Sequence, residues 1–385
     1  MPEKRKKIIM AVTNDLVTDQ RVNKICLSLH SENYEVLLVG RKLSDSPELP
    51  QLPYKTKRLR LCFNKGALFY AFFNIQLFFF LLFHKTDIIT ANDLDTLPAC
   101  YFAACLKNKS LVYDSHEYFT EVPEIQNKKL VKKIWTSIES YIFPKLKNVS
   151  TVCQSIADVY NKKYNVPVKV IKNVPIPSIE VNTTKPEKPE AWKDKKIIIY
   201  QGAVNLGRGL ELMIETMPLL NNFIFIIIGG GDIIEDLRKK IIDLDLNNKV
   251  ILLGKLHYSK LQSYTRIADC GFSLEEAIGL NYYYAPPNKL FDYIHASIPF
   301  IVSDLPEMRR IVETYKIGEI LVERNPDSLA KCINKLLETS IDEQRYANAK
   351  KNSLGIMKKK LYFHCTNNLL KKQNDGNKVL EKQRY

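Results

Sequence analysis

The chain has 385 residues, 45% of them hydrophobic and 26% charged. That is ordinary globular usage and excludes a wholly disordered chain, while 14 Gly and 18 Pro are too few for a collagen-like or low-complexity protein. A domain takes ~100–200 residues, so two or three domains are expected, and a net charge of +15 points to an anionic partner.

The charge is uneven. Residues 1–175 hold 26 Lys/Arg against 16 Asp/Glu, with basic clusters at 4–7, 55–60 and 128–133. No nucleic-acid-binding module is visible and the aromatic residues fall in apolar runs, so a nucleic-acid partner is not expected. None of the eight cysteines forms a CxxC pair. That spacing fits a reducing compartment with no structural zinc. The basic N-terminus precedes only five apolar residues, Ile8 to Val12, against the ~7–15 of a signal peptide, and a cytoplasmic protein is expected.

Along the first half, short apolar runs alternate with helical spacing. Strands are predicted at 7–12, 34–39, 59–63, 87–91 and 111–114, with a helix at 22–30. Residues 67–83 are almost wholly apolar. A crossover helix buried between two strands fits their place in the order best. A helix face lying on a membrane stays open, with Lys57, Arg58, Arg60 and Lys65 preceding it. A spanning helix needs ~20 apolar residues. The second half predicts strands at 196–200, 223–228, 250–253, 270–273, 299–303 and 319–322. Helices lie between them at 210–219, 233–244, 260–268 and 288–295. Alternation of this kind defines α/β domains with parallel, doubly wound sheets. The segment between the halves carries Pro177, Pro186 and Pro189 with little periodicity. The expected organisation is a first domain over 1–175, a linker over 176–195 and a second domain over 196–345. A C-terminal helix and tail over 346–385 are expected to pack back toward the first domain.

Several strand ends carry residues suited to chemistry. Tyr200 to Gly209 (YQGAVNLGRG) leaves a strand and enters a helix. Glycines there let backbone approach a ligand, and Arg208 offers a forked donor set for phosphate. A plain turn with a solvated arginine fits equally well. Gly229, Gly230 and Gly231 follow the next strand in the same way. In Ala285 to Tyr293 (APPNKLFDY) the prolines predict a helix start near Pro287 or Asn288. Lys289 then lies in the first turn and Asp292 three residues on. That base and acid suit a diphosphate and a ribose diol, or each other as a salt bridge. In the first half, His116 closes a strand in Tyr113-Asp114-Ser115-His116-Glu117. A histidine there serves as a general acid–base or as a structural residue. Asp93 and Asp95 end another strand, where capping the next helix is favoured over metal binding. No HExxH, Walker A, GxSxG or EF-hand pattern is present.

This ordered set resembles a glycosyltransferase of the GT-B fold, in retaining family 4 (group 1), over roughly residues 6–340. The branch it most resembles builds bacterial surface polysaccharide. The first domain contributes Thr18-Asp19-Gln20-Arg21-Val22, Asn92-Asp93-Leu94-Asp95, Asp114-Ser115-His116-Glu117 and Val170-Ile171-Lys172-Asn173-Val174. The second contributes the Gln201 to Gly209 loop, the 229–231 glycines, the 287–293 run and Pro299 to Asp304 (PFIVSD). The resemblance implies two Rossmann-like domains facing across a cleft. It implies a nucleotide-diphosphate sugar donor bound by Gly202, Arg208, Gly230, Asn288, Lys289, Leu290 and Asp292. His116 is the implied catalytic residue, with Asp15, Asp93 and Glu117 toward a glycan or lipid-linked acceptor. No metal or other cofactor is implied, and a peripheral membrane contact is open. The chain departs from the family pattern at Tyr284, where a first glutamate is usual eight positions before Asp292. Gly202 stands where a basic residue is usual. A nucleotide-sugar epimerase on the same fold, or a non-catalytic subunit, are the alternative readings.

Overall fold

The computed structural model of the protein describes residues 5–17, 19–44, 46–173 and 187–357. The chain divides into two compact units; among the described residues the first holds those up to Asn173 together with Ile356 and Met357, and the second holds those from 187 to Gly355. The first unit runs β1 (Lys7–Asp15), α1 (Gln20–Ser31), β2 (Glu35–Lys42), β3 (Lys55–Arg60), α2 (Gly66–Phe83), β4 (Ile88–Asn92), α3 (Leu97–Leu106), β5 (Ser110–Ser115), α4 (Pro123–Gln126), α5 (Lys129–Ile142), β6 (Val149–Thr151), α6 (Gln154–Tyr164) and β7 (Val168–Val170). The second runs β8 (Lys196–Gln201), α7 (Leu210–Thr216), β9 (Phe223–Ile228), α8 (Ile234–Asp243), β10 (Val250–Gly254), α9 (Tyr258–Ile267), β11 (Cys270–Ser273), α10 (Leu280–Tyr284), α11 (Lys289–Ala296), β12 (Phe300–Ser303), α12 (Pro306–Tyr315), β13 (Gly318–Leu321), α13 (Pro326–Glu338) and α14 (Glu343–Met357).

Each unit is built on one all-parallel sheet. The first sheet has the order β3-β2-β1-β4-β5-β6-β7 and the second β10-β9-β8-β11-β12-β13. Parallel strands with helices on both faces are buried on both sides and read as continuous apolar runs. Ile197 to Tyr200 and Ile224 to Ile228 are such runs, and all nine side chains are buried. In each sheet the chain first winds one way and then the other. The reversal falls between β1 and β4 in the first unit and between β8 and β11 in the second. Ligands of open α/β sheets bind beyond the carboxyl ends of the strands at such a point.

The predicted strands of the second unit lie within two residues of those observed. The first unit needs correction at its edges. The strand expected at 59–63 is β3, four residues earlier. It pairs only with β2, so its Lys55, Lys57 and Arg60 point outward and the apolar signal is lost. The short strands β6 and β7 had no sequence signal of their own. Of the linker, residues 187–195 form a single tight turn at Glu190–Trp192, and Lys188 Nζ reaches Asp269 Oδ2 at 2.8 Å. The tail past Met357 and linker residues 176–186 lie outside the described residues. The seven described cysteines are free thiols.

Candidate functional site

In the second unit, the residues singled out in the sequence gather at the reversal point. β8 ends at Gln201, just before Gly202, β9 at Ile228, just before Gly229, and β11 at Ser273. The glycines allow two loops to touch. A Cβ on Gly229 would sit 1.8 Å from the Gly202 carbonyl oxygen. Gly209, left-handed at φ 74°, starts α7 against Leu274, whose carbonyl would lie 2.5 Å from a Cβ. That packing leaves Arg208 at the mouth of the sheet.

Glu275 organises the charges, and it was missed in the sequence. It is buried two residues past β11. Its Oε1 accepts from Lys289 Nζ at 2.9 Å and lies 3.4 Å from Arg208 Nη1, while Ser273 Oγ donates to Oε2 at 2.6 Å. The only available signal was an acid placed just beyond a strand at the carboxyl edge. Burial pushes the Glu275 carboxyl up, but Lys289, Ser273 and Arg208 together hold it below its ordinary value. For Lys289, burial wins over Glu275 and lowers the ammonium to about 8. Burial also opposes the Arg208 charge, yet Glu275 and nearby tyrosines keep it firmly protonated. Lys289 Nζ lies 3.8 Å from the Tyr200 ring centre, and Arg208 Cζ lies 4.3 Å from that of Tyr282. Two cations thus share one carboxylate, and the buried Nε of Arg208 has no hydrogen-bond partner among the described residues. The cluster carries a surplus positive charge and a spare donor, which suit an oxyanion.

The helix predicted to start near Pro287 or Asn288 is α11, with Asn288 as its exposed cap. Lys289 turns to Glu275. Asp292 accepts from Gln201 Nε2 at 2.7 Å, and Thr265 fixes the other end of that amide at 2.7 Å. The Leu290 side chain is fully buried in the core and its backbone N–H bonds to the Pro287 carbonyl, so neither points outward as a donor contact. A Cβ on Gly230 would touch the exposed Lys255, a further cation that the sequence reading did not single out.

In the first unit, Arg21 and His116 converge on Asp114. Asp19 caps α1 by accepting from the Val22 N–H, which fixes the turn that presents Arg21. Arg21 donates to Asp114 through Nη2 at 3.0 Å and Nε at 3.3 Å, and through Nη1 to the Ile171 carbonyl at 3.2 Å. Ser150 Oγ adds a bond to Asp114 at 2.7 Å. His116 Nε2 lies 3.1 Å from Asp114 Oδ2 and Nδ1 lies 3.1 Å from Asp93 Oδ2. Asp93, left-handed at φ 63°, also accepts the His116 backbone N–H at 2.7 Å. Burial disfavours the imidazolium, but Asp93 and Asp114 outweigh it and raise His116 to about 10. With a carboxylate on each ring nitrogen, His116 is a fixed cation at neutral pH and not a shuttling base.

The capping role expected for Asp93 and Asp95 is not what the structure shows. Thr96 holds the N-cap position of α3 without a side-chain capping bond, Asp93 grips His116, and Asp95 accepts from Thr13. Burial and the neighbouring Asp93 raise Asp95 to about 7. Asp15 is buried against Arg58 and Ser46, while Glu117 is exposed past β5. Among the described residues, no three His, Cys, Asp or Glu side chains cluster as metal ligands.

Two doubly wound parallel sheets, each with charged groups at its reversal point, define a two-unit α/β protein. The comparisons with known proteins take the class further. A family model described as Glycosyltransferase Family 4 matches residues 20–174, and one described as Glycosyl transferases group 1 matches residues 181–353. The chain belongs to these glycosyltransferases and has the GT-B fold. It is 26% identical over 220 residues to an uncharacterised glycosyltransferase of Methanocaldococcus jannaschii, an alignment that takes in 53% of this chain. The chain spans about half of that relative, 54% of its length. Among solved structures, sucrose-phosphate synthase of Thermosynechococcus elongatus superposes with a TM-score of 0.69 at 14% identity, covering 97% of this chain and 100% of the other. HepE of Anabaena, in complex with UDP-glucose, gives 0.63 at 14% identity over 96% and 99%.

Proposed function

We propose that this glycosyltransferase moves a sugar, with retention of configuration, from a nucleoside-diphosphate sugar to a glycan or lipid-linked acceptor. The product would enter cell-surface polysaccharide, and the enzyme would work in the cytoplasm at the inner face of the membrane. The observation that carries the donor assignment is the pair Arg208 and Lys289 sharing the one carboxylate of Glu275, at the β8/β11 reversal point. A diphosphate supplies the missing negative charge there. Asp292, held by Gln201, is the acceptor for ribose hydroxyls, and its likeness to the second family glutamate supports that role. The UDP-glucose bound by HepE supports a donor of the same type.

In the proposed step, the acceptor oxygen bonds to the anomeric carbon from the face that the diphosphate leaves. The bond from that carbon to the phosphate oxygen breaks, and the departing phosphate takes the acceptor's proton. Arg208 and Lys289 stabilise the charge that develops on the leaving group. His116 contributes a fixed positive charge, and Asp15, Asp93 and Glu117 are assigned to the acceptor side.

Thermal melts with UDP, GDP, ADP and CDP test the donor site. Ligand at 100 times its Kd stabilises by about 2.7 kcal/mol. A shift with one nucleotide family, cut to about half or less in R208A, is expected. No shift with any of them, or one unchanged in R208A, refutes the assignment. Product analysis with donor alone separates transfer from epimerisation, which needs no acceptor.

A further inference from the structure

The chain winds in one direction from β3 to β4, β5 and β6. Right-handed crossovers therefore place α2, α3 and α5 on one face of the first sheet. At ~100° per residue, α2 has two opposed stripes. Phe69, Phe73, Leu77 and Leu81 are buried. Leu68, Phe72, Ile75, Phe79 and Phe83, centred about 140° away by the same geometry, are exposed, Phe83 by 82%. Asn74, a polar residue inside the run, donates to the Asp95 carbonyl at 2.8 Å and accepts from the Ala99 N–H at 3.1 Å, which fastens α2 to the start of α3. A helix tied down along one side and required for the β3-to-β4 crossover cannot leave the fold to span a bilayer.

The apolar surface continues onto the neighbours of α2. On α3, Phe102 and Leu106 are exposed, and on α5 so are Leu130 and Ile134. α3 touches both other helices. The exposed charges on the three helices have one sign. α2 and α3 contain no acidic residue, and the one acid of α5, Glu139, is buried and held by Lys163. Lys129, Lys132 and Lys133 line a groove on α5 together with Ser137 and Ser140. Lys132 is paired with Glu121, and Lys129 and Lys133 are exposed.

We propose that the outer face of α2, α3 and α5 is a docking surface for an anionic phospholipid bilayer. Its aromatic and aliphatic side chains would enter the headgroup boundary, and Lys129 and Lys133 would meet lipid phosphates. Charge selects this occupant. A second copy would bring the same lysines face to face. The C-terminal segment 358–385 holds eight Lys/Arg against two Asp/Glu, so it too carries the wrong sign to cover the face. The proposal stands apart from the donor site, so either can fail alone.

The test is co-sedimentation of the full chain with phosphatidylglycerol/phosphatidylcholine vesicles and with phosphatidylcholine alone. Two variants accompany it, I75E/F79E on α2 and K129Q/K133Q on α5. Wild type is expected to prefer the anionic vesicles and to be released by salt. The lysine variant should lose about thirtyfold in partitioning, two near-surface charges' worth, and the α2 variant at least as much. Both should keep the wild-type melting shift with nucleotide. Absence of binding by wild type, or equal binding by the variants, overturns the proposal. So does a concentration-dependent dimer that I75E/F79E dissociates while vesicles are ignored.

Discussion

Lys289 Nζ and Glu275 Oε1 lie 2.9 Å apart, both side chains buried, at the carboxyl edge of the second sheet. Breaking a buried pair by neutralising one partner costs about 3–5 kcal/mol. E275Q should therefore melt well below wild type without ligand. Because it leaves two cations uncompensated, the nucleoside diphosphate that stabilises wild type should stabilise E275Q by more. Melting curves with and without that nucleotide check both halves. An unchanged ligand shift would mean that Arg208 and Lys289 do not hold the phosphates.

Arg208 is expected to act through affinity. Removing a charged donor to phosphate should weaken donor binding about tenfold to a hundredfold. R208A should show this in a titration of donor while keeping a native melting profile, since Glu275 retains Lys289 and Ser273 as partners. D292A should weaken binding of the nucleoside diphosphate more than binding of inorganic pyrophosphate, because ribose is the part it would touch.

The pH response of the first unit follows from His116. Its folded-state value of about 10 lies above the ordinary value near 6.5. The folded chain holds this proton more tightly than the unfolded one. The resulting stabilisation is complete below about pH 6.5 and is lost as pH rises toward 10. Denaturant unfolding at pH 6.5, 8 and 9.5 should show stability falling for wild type, with a shallower fall in H116Q. Parallel slopes would contradict the two-carboxylate clamp.

Asp114 serves Arg21, His116 and Ser150 at once. D114N leaves the buried Arg21 guanidinium without its anion and should cost about 3–5 kcal/mol. Its His116 should also titrate lower, which NMR of the imidazole would read directly. Asp114 itself is held below its ordinary value. Burial works against that charge, but Arg21, His116 and Ser150 prevail. Its stabilisation is present above the usual carboxylate range and disappears only in strong acid.

Much of the second unit was legible because its central strands are continuous apolar runs between glycine turns, as at Phe223 to Gly229. The first unit was legible in its middle and not at its edges. β3 reads Lys-Thr-Lys-Arg because an edge strand faces water, and β6 and β7 are three residues each. Within the site, Arg208, Lys289 and Asp292 stood out through helix starts and glycines. Glu275 did not, since an acid gains meaning there only when folding brings Lys289, fourteen residues on, against it. The carboxylates of Asp93 and Asp114 on opposite nitrogens of His116 were likewise invisible, because they depend on a left-handed turn at Asp93 and on strand pairing.

The lowered ammonium of Lys289 also gives the protein a chemical handle. Near pH 8 burial leaves more of this side chain as free amine than of an ordinary lysine, whose value lies near 10.4. A small acylating reagent used briefly at that pH should mark Lys289 ahead of the more exposed lysines. A bound diphosphate, by holding the proton in place, would shield it, so the extent of labelling becomes a readout of occupancy that needs no knowledge of the sugar or its acceptor.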